Sequence, residues 1–95
     1  MSIDFTVLIS SHFERSAKRL AKQHQDFPAS FKKAVEILRS DPYNRSGKYA
    51  ILKLTGEQAG NGQWRLRIGR LRFRYDIVGS TVELKYCGLR RENTY

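Results

Sequence analysis

The sequence predicts an α+β fold, in which an N-terminal strand and an antiparallel two-helix hairpin pack on a small, curved, mostly antiparallel β-sheet. Three observations lead to this prediction. Apolar residues recur at helical spacing between positions 11 and 40, and they alternate with charged residues between positions 64 and 87. Two glycine-containing turns divide the alternating part into three strands. A chain of 95 residues suits one domain, which we expect to span residues 1–95.

The first part of the chain predicts one strand and one helix. Residues 3–9 (IDFTVLI) are mostly β-branched, aromatic or aliphatic, which favours a partly buried strand. A helix begins after Ser10 or Ser11, and Ser11 with Glu14 has the spacing of a capping box. The inward stripe of this helix is predicted to contain Phe13, Ala17, Leu20, Ala21 and His24.

A second helix and a short strand follow. Asp26, with Pro28 just beyond it, marks the start of the helix. The pair Asp41 and Pro42 ends it, because the residue before a proline is forced out of helical geometry. Residues 49–54 (YAILKL) predict a strand, and residues 56–62 (GEQAGNG) a flexible polar loop.

The stretch 64–75 (WRLRIGRLRFRY) predicts a β-hairpin with Gly69 and Arg70 in its turn. A shift of the pairing by one residue would bury guanidinium groups, so the register is strongly specified. In this register the apolar residues share one face of the sheet. The opposite face then carries Arg65, Arg67, Arg72 and Arg74.

A second turn at Gly79 and Ser80 predicts a last strand over residues 81–87. Both turns assign the residues of the middle strand to the same faces, which supports a three-stranded meander. The predicted apolar pairs are Ile77 with Val82, Tyr75 with Leu84 and Phe73 with Tyr86. The predicted pairs on the basic face are Arg74 with Lys85 and Arg72 with Cys87.

The charge balance predicts a polyanionic partner. The chain has 18 Lys and Arg against 9 Asp and Glu, a net charge of +9. Guanidinium groups bind phosphate oxygens bidentately, so the arginine face is interpreted as an anion-binding surface for nucleic acid. An acidic membrane surface, an acidic protein partner and a structural role like that of a ribosomal protein remain as alternatives.

Several classes of site have no support in the sequence. A single cysteine, Cys87, excludes an internal disulfide and is typical of a reducing compartment. His12 and His24 have no cysteine partner and no phosphate-binding glycine pattern occurs, so we expect no metal and no cofactor. The chain has no apolar stretch of membrane-spanning length and no signal-peptide pattern, which predicts a cytoplasmic protein without a membrane partner.

The order and spacing of four short motifs resemble those of the RelE/ParE superfamily, the toxins of bacterial and archaeal toxin–antitoxin pairs. The motifs are residues 53–56 (KLTG), 64–69 (WRLRIG), 71–75 (LRFRY) and 88–91 (GLRR), followed by the terminal Tyr95. The two-helix segment that ends at Asp41 and Pro42 also fits, so the resemblance covers nearly the whole chain, and it is closer to the RelE branch. The resemblance implies the same fold that the periodicity predicts.

The resemblance also implies an activity, because RelE-type toxins cut mRNA, typically in the ribosomal A site. The chain would then be a metal-independent endoribonuclease that drives attack of a 2′-hydroxyl on the adjacent phosphate and is inhibited by a cognate antitoxin protein. The implied catalytic residues are Arg65, Arg67, Arg72, Arg90 and Tyr95. The implied RNA-binding residues are Lys53, Arg70, Arg74, Lys85 and Arg91.

The chain departs from the RelE pattern at Arg65 and Arg67, where RelE-type toxins have lysine. Arginine stays charged and is a poor proton acceptor. Tyr95 is therefore the residue implied for proton transfer, with Lys85 as a second candidate and a terminus without a role as the alternative. The alternative functions are a ParE-like toxin that acts on DNA gyrase, a non-catalytic RNA- or DNA-binding module and an inactive homologue.

Overall fold

The structure, a computed structural model, describes residues 4–89. It contains two helices and one five-stranded sheet in the order β1-β5-β4-β3-β2. Strand β1 is parallel to β5 and every other neighbouring pair is antiparallel, which confirms the predicted α+β fold. The elements are β1 (Thr6–Ile9), α1 (Ser11–Gln23), α2 (Phe27–Ser40), β2 (Ile51–Lys53), β3 (Trp64–Ile68), β4 (Leu71–Val78) and β5 (Thr81–Leu89).

Helix α1 begins at the predicted serines. Ser10 is the N-cap, and its hydroxyl accepts a hydrogen bond from the N–H of Phe13 at 3.0 Å. The buried residues of α1 are Phe13, Ser16 and Leu20. The prediction that Ala21 faces inward is wrong, because this buried line leaves it on the solvent side of the helix.

The two helices cover one face of the sheet, and the hydrophobic core lies between the helices and that face. Burial of a large apolar side chain stabilises the fold by about 1.5–3 kcal/mol, so this layer fixes which face of each strand points inward. The core residues are Phe13, Leu20, Phe27, Ala34, Ile37 and Leu38 from the helices and Leu66, Leu71, Phe73, Tyr75, Val82, Leu84 and Cys87 from the strands. Neither helix of the described chain is long and apolar enough to cross a membrane.

A buried tyrosine holds the connection between α2 and β2 against the sheet. The hydroxyl of Tyr75 donates a hydrogen bond to the carbonyl oxygen of Pro42 at 2.7 Å. Burial raises the pKa of Tyr75, and the negative charge of Asp41 raises that pKa further. Tyr75 therefore stays a neutral hydrogen-bond donor.

The Asp41 carboxylate closes the first turn of the same connection. Its oxygens accept hydrogen bonds from the N–H groups of Arg45 and Ser46 and from the Ser46 hydroxyl, at 2.8, 3.1 and 2.6 Å. Desolvation acts to raise the pKa of Asp41. The bonds from Ser46 and Arg45, together with the Arg45 charge, outweigh it and hold the pKa below its usual value.

We expect acid to weaken this turn. A carboxyl with a lowered pKa in the folded state stabilises the fold above its unfolded-state pKa of 3.8, and this contribution is lost as the pH falls through the folded-state value. Asp41→Asn should therefore lose less stability than the parent protein between about pH 6 and about pH 2, measured by urea unfolding. Asp26→Asn, which removes a carboxylate that makes no capping bond, should follow the parent. Equal pH slopes for Asp41→Asn and the parent would contradict the prediction.

Candidate nucleic-acid interface

The arginine hairpin forms with the predicted register. Gly69 adopts a φ of 57°, as a two-residue hairpin turn requires at that position. The observed pairs are Ile68 with Leu71, Arg67 with Arg72, Leu66 with Phe73, Arg65 with Arg74 and Trp64 with Tyr75. Residues directly opposite each other share a face, so all four arginines lie on the side away from the helices, which we call the open face.

The predicted register between β4 and β5 holds only from the turn to Tyr75. Beyond it Lys85 is an extra residue in β5, a β-bulge that shifts all later pairs by one. The three pairs predicted beyond this point are wrong. The structure pairs Arg74 with Tyr86, Phe73 with Cys87 and Arg72 with Gly88.

The bulge exchanges the faces of two side chains. Tyr86 lies on the open face, in one row across the sheet with Arg74 and Arg65. Cys87 is fully buried in the core instead. Ser10, the cap of α1, is bonded to this segment, because its N–H donates to the carbonyl oxygen of Leu84 at 3.1 Å.

Asp76 of β4 holds the loop of residues 56–62, which the sequence predicted to be flexible, against the open face. Its carboxylate accepts hydrogen bonds from the N–H groups of Gly60, Gly62 and Gln63 at 2.9, 3.1 and 2.9 Å. Asp76 is itself only 3% exposed. Buried charges need such partners, and the three backbone donors supply them. The sequence pattern does not single out Asp76, since an acidic residue within a basic strand has no periodic signature.

Arg74 is the open-face arginine that this loop covers. Its Nε and one terminal nitrogen donate to the carbonyl oxygen of Gly62 at 3.1 and 2.7 Å, and that nitrogen lies 3.1 Å from a Glu57 carboxylate oxygen. Gly62 has a φ of 84°, and a Cβ there would lie 2.9 Å from the Cβ of Arg74. With a side chain 3% exposed, Arg74 is not part of the accessible basic surface that the sequence predicted.

The remaining three arginines form what we call the arginine cluster: Arg65, Arg67 and Arg72. Arg67 is exposed and lies directly opposite Arg72, while Arg65 and Arg72 are half-buried. The Nε of Arg65 is buried and makes no hydrogen bond within residues 4–89. A buried donor of this kind costs stability unless a water or ligand oxygen accepts its hydrogen bond.

The other predicted RNA-binding residues are spread over the molecule. Lys53 lies opposite Trp64 on the helix-covered face, with its Nζ 5.6 Å from the centre of the indole ring. Arg70 lies in the exposed turn. Lys85 is half-buried at the bulge, with its Nζ 3.1 Å from a Glu83 carboxylate oxygen. Arg90, Arg91 and Tyr95 lie outside the described residues.

The open face is divided by charge along the strands. Near the hairpin turn, the rows Leu52–Arg65–Arg74–Tyr86 and Arg67–Arg72–Gly88 contain no acidic residue within the described chain. One step further from the turn, Asp76 lies opposite Glu83. A polyanion is therefore attracted more strongly to the turn end of the face than to the other end. The arginine cluster can stabilise negative charge, but guanidinium groups do not exchange protons near neutral pH.

Two solved structures have a fold similar to that of this chain. The sequence matches no protein-family model and none of the curated proteins. One chain of the archaeal RelE–RelB complex from Pyrococcus horikoshii OT3 has a similar structure, with a TM-score of 0.67 and 22% sequence identity. The match covers 94% of this chain and 98% of that chain. One chain of the RelB–RelE antitoxin–toxin complex from Methanococcus jannaschii is also similar, with a TM-score of 0.55 and 18% sequence identity. This match covers 88% of this chain and 91% of that chain. The chain therefore has a fold found in RelE–RelB complexes, along nearly its whole length.

Proposed function

We propose that the chain is the toxin of a toxin–antitoxin pair and that it cuts mRNA on the ribosome. Two lines support this proposal: the fold likeness to chains of RelE–RelB complexes, and the sequence motifs that resemble RelE-type toxins. The observation that carries it is the arginine cluster, because three guanidinium groups share the turn end of the open face.

The arginine cluster lowers the stability of the fold, which a surface that serves only solubility could avoid by alternating positive and negative charges. Arg67 lies directly opposite Arg72, and like charges in directly opposite positions destabilise an antiparallel pair. A phosphate that bridges the two guanidinium groups relieves this repulsion. Partial burial of Arg65 and Arg72 also strengthens their attraction for an anion, since water screens half-buried charges less well.

In the proposed reaction, the positive charge of the arginine cluster lies where negative charge develops on the phosphate. The 2′-oxygen of a ribose attacks the adjacent phosphorus, the bond from phosphorus to the 5′-oxygen breaks, and a 2′,3′-cyclic phosphate remains. A base takes the proton of the 2′-hydroxyl and an acid gives one to the 5′-oxygen. The arginine cluster stabilises the extra negative charge of the five-coordinate phosphorus between these steps.

Proton transfer is assigned to a residue beyond the described chain. Tyr95 is the proposed proton-transfer group and Arg90 a further positive charge, as the family resemblance implies. Lys85 is a weaker candidate, because its ammonium group is paired with Glu83. The cognate antitoxin is proposed as an acidic or amphipathic segment that covers the basic face.

Mapping of mRNA ends in a translating extract tests the proposal. Addition of the protein should produce new 5′ ends in phase with codons, detected by primer extension, and the Tyr95→Phe variant should lose them. Intact mRNA with accumulated gyrase–DNA cleavage complexes would replace the proposal with a ParE-like activity. Intact mRNA with salt-sensitive RNA binding would replace it with a non-catalytic binding module.

A further inference from the structure

A cleft of about 510 Å³ lies beside the arginine cluster. The loop of residues 56–62 forms one side of it. The first turn of α1 and the bulged segment of β5 form the other side. Its lining includes His12, Glu57, Asn61, Arg74, Lys85 and Tyr86.

One wall of the cleft is aromatic. The imidazole of His12 stacks on the ring of Tyr86, with ring centres 5.7 Å apart and planes 22° from parallel. Tyr86 reaches this wall only because the bulge at Lys85 moves it to the open face. His12 is exposed, so a flat ring can extend the stack from the solvent side. Stacking on aromatic side chains is the usual way in which proteins hold bases of single-stranded RNA.

The opposite rim carries two hydrogen-bonding side chains. Asn61 presents an amide that both donates and accepts, and Glu57 presents a carboxylate that only accepts. The ion pair with Arg74 positions Glu57, and the bonds from Asp76 to Gly60 and Gly62 position the loop. A carboxylate acceptor favours a base that offers an exocyclic amino group, which cytosine, adenine and guanine have and uracil lacks.

The cleft lies within reach of the arginine cluster. Tyr86 is opposite Arg74, which is opposite Arg65. Neighbouring strands are about 4.8 Å apart, so Tyr86 lies about 10 Å across the sheet from Arg65. Neighbouring nucleotides of one strand can therefore occupy the cleft and the cluster together.

We propose that this cleft binds one base of single-stranded RNA, in preference a base with an exocyclic amino group, and so sets the sequence preference of the cut. The inference rests on the proposed function in taking RNA as the substrate. Its two determinants are the His12–Tyr86 stack and the rim formed by Asn61 and Glu57.

Binding of uncleavable RNA tests the cleft without any cleavage. Labelled 2′-O-methyl hexanucleotides of C, A, G and U would be titrated with the full chain and followed by fluorescence anisotropy. The oligomers of C, A and G should bind more tightly than that of U, and His12→Ala should weaken their binding by about fivefold or more. His24→Ala, which removes a histidine that does not line the cleft, should bind like the parent. Equal affinity for all four oligomers, or unchanged binding by His12→Ala, would overturn the proposal.

A cleavage readout separates this inference from the proposed function. Asn61→Ala should shift mRNA cleavage to a less restricted set of sequences, and unchanged cut positions would overturn the proposal. If the parent protein cuts no RNA while the hexanucleotides still show the base preference and the His12 effect, the proposed nuclease function fails and the base-binding cleft stands. The thermal unfolding midpoint of each variant identifies any loss of binding that comes from misfolding.

Discussion

Replacing Arg67 and Arg72 together with alanine is expected to abolish mRNA cleavage while the domain remains folded. The two side chains lie directly opposite each other on the open face, outside the core. Loss of one group that stabilises transition-state charge costs about 10²–10³ in rate, so the double variant should fall by at least about 10³-fold. Codon-phased mRNA ends in a translating extract measure the loss.

Two comparisons make this prediction specific. Arg39→Ala removes an exposed arginine at the end of α2, whose guanidinium lies 3.9 Å from the Asp4 carboxylate, and should leave cleavage unchanged. The unfolding midpoint of the double variant should stay close to that of the parent, because both side chains lie outside the core. Full cleavage by a folded double variant would rule the arginine cluster out as the catalytic surface.

Replacing Asp76 with alanine is expected to destabilise the domain by at least about 1–3 kcal/mol, the usual cost of leaving a buried hydrogen-bond donor without its acceptor. Three backbone N–H groups lose their acceptor, and that of Gly62 is buried. The loop that pairs with Arg74 then loses its anchor. Urea unfolding measures the change in stability, and limited proteolysis within residues 56–62 should become faster.

Glu83→Ala is the matched control for Asp76→Ala. Glu83 lies directly opposite Asp76 on the same face, but its side chain is 37% exposed and pairs with the partly exposed Lys85. Surface ion pairs of this kind contribute about 0–1 kcal/mol. If both variants lose the same small amount of stability, Asp76 is not the anchor of the loop.

The sequence by itself determined the fold class and the hairpin. Strict alternation with glycine at the turn fixed the register from Trp64 to Tyr75, since a slip by one residue would exchange the buried and exposed faces. The same pattern placed all four arginines on one face. These features depend on neighbours in the sequence, and a period of two is enough to predict them.

Only the tertiary structure decided how that face is used. The bulge at Lys85 breaks the alternation and brings Tyr86 to His12. The loop of residues 56–62 covers Arg74 through a bond to Gly62, twelve residues away in the chain. Such contacts join segments whose spacing carries no periodic signal, because they depend on where the strands and the loop meet in space. Which of the four arginines stay accessible could therefore be read only from the folded chain.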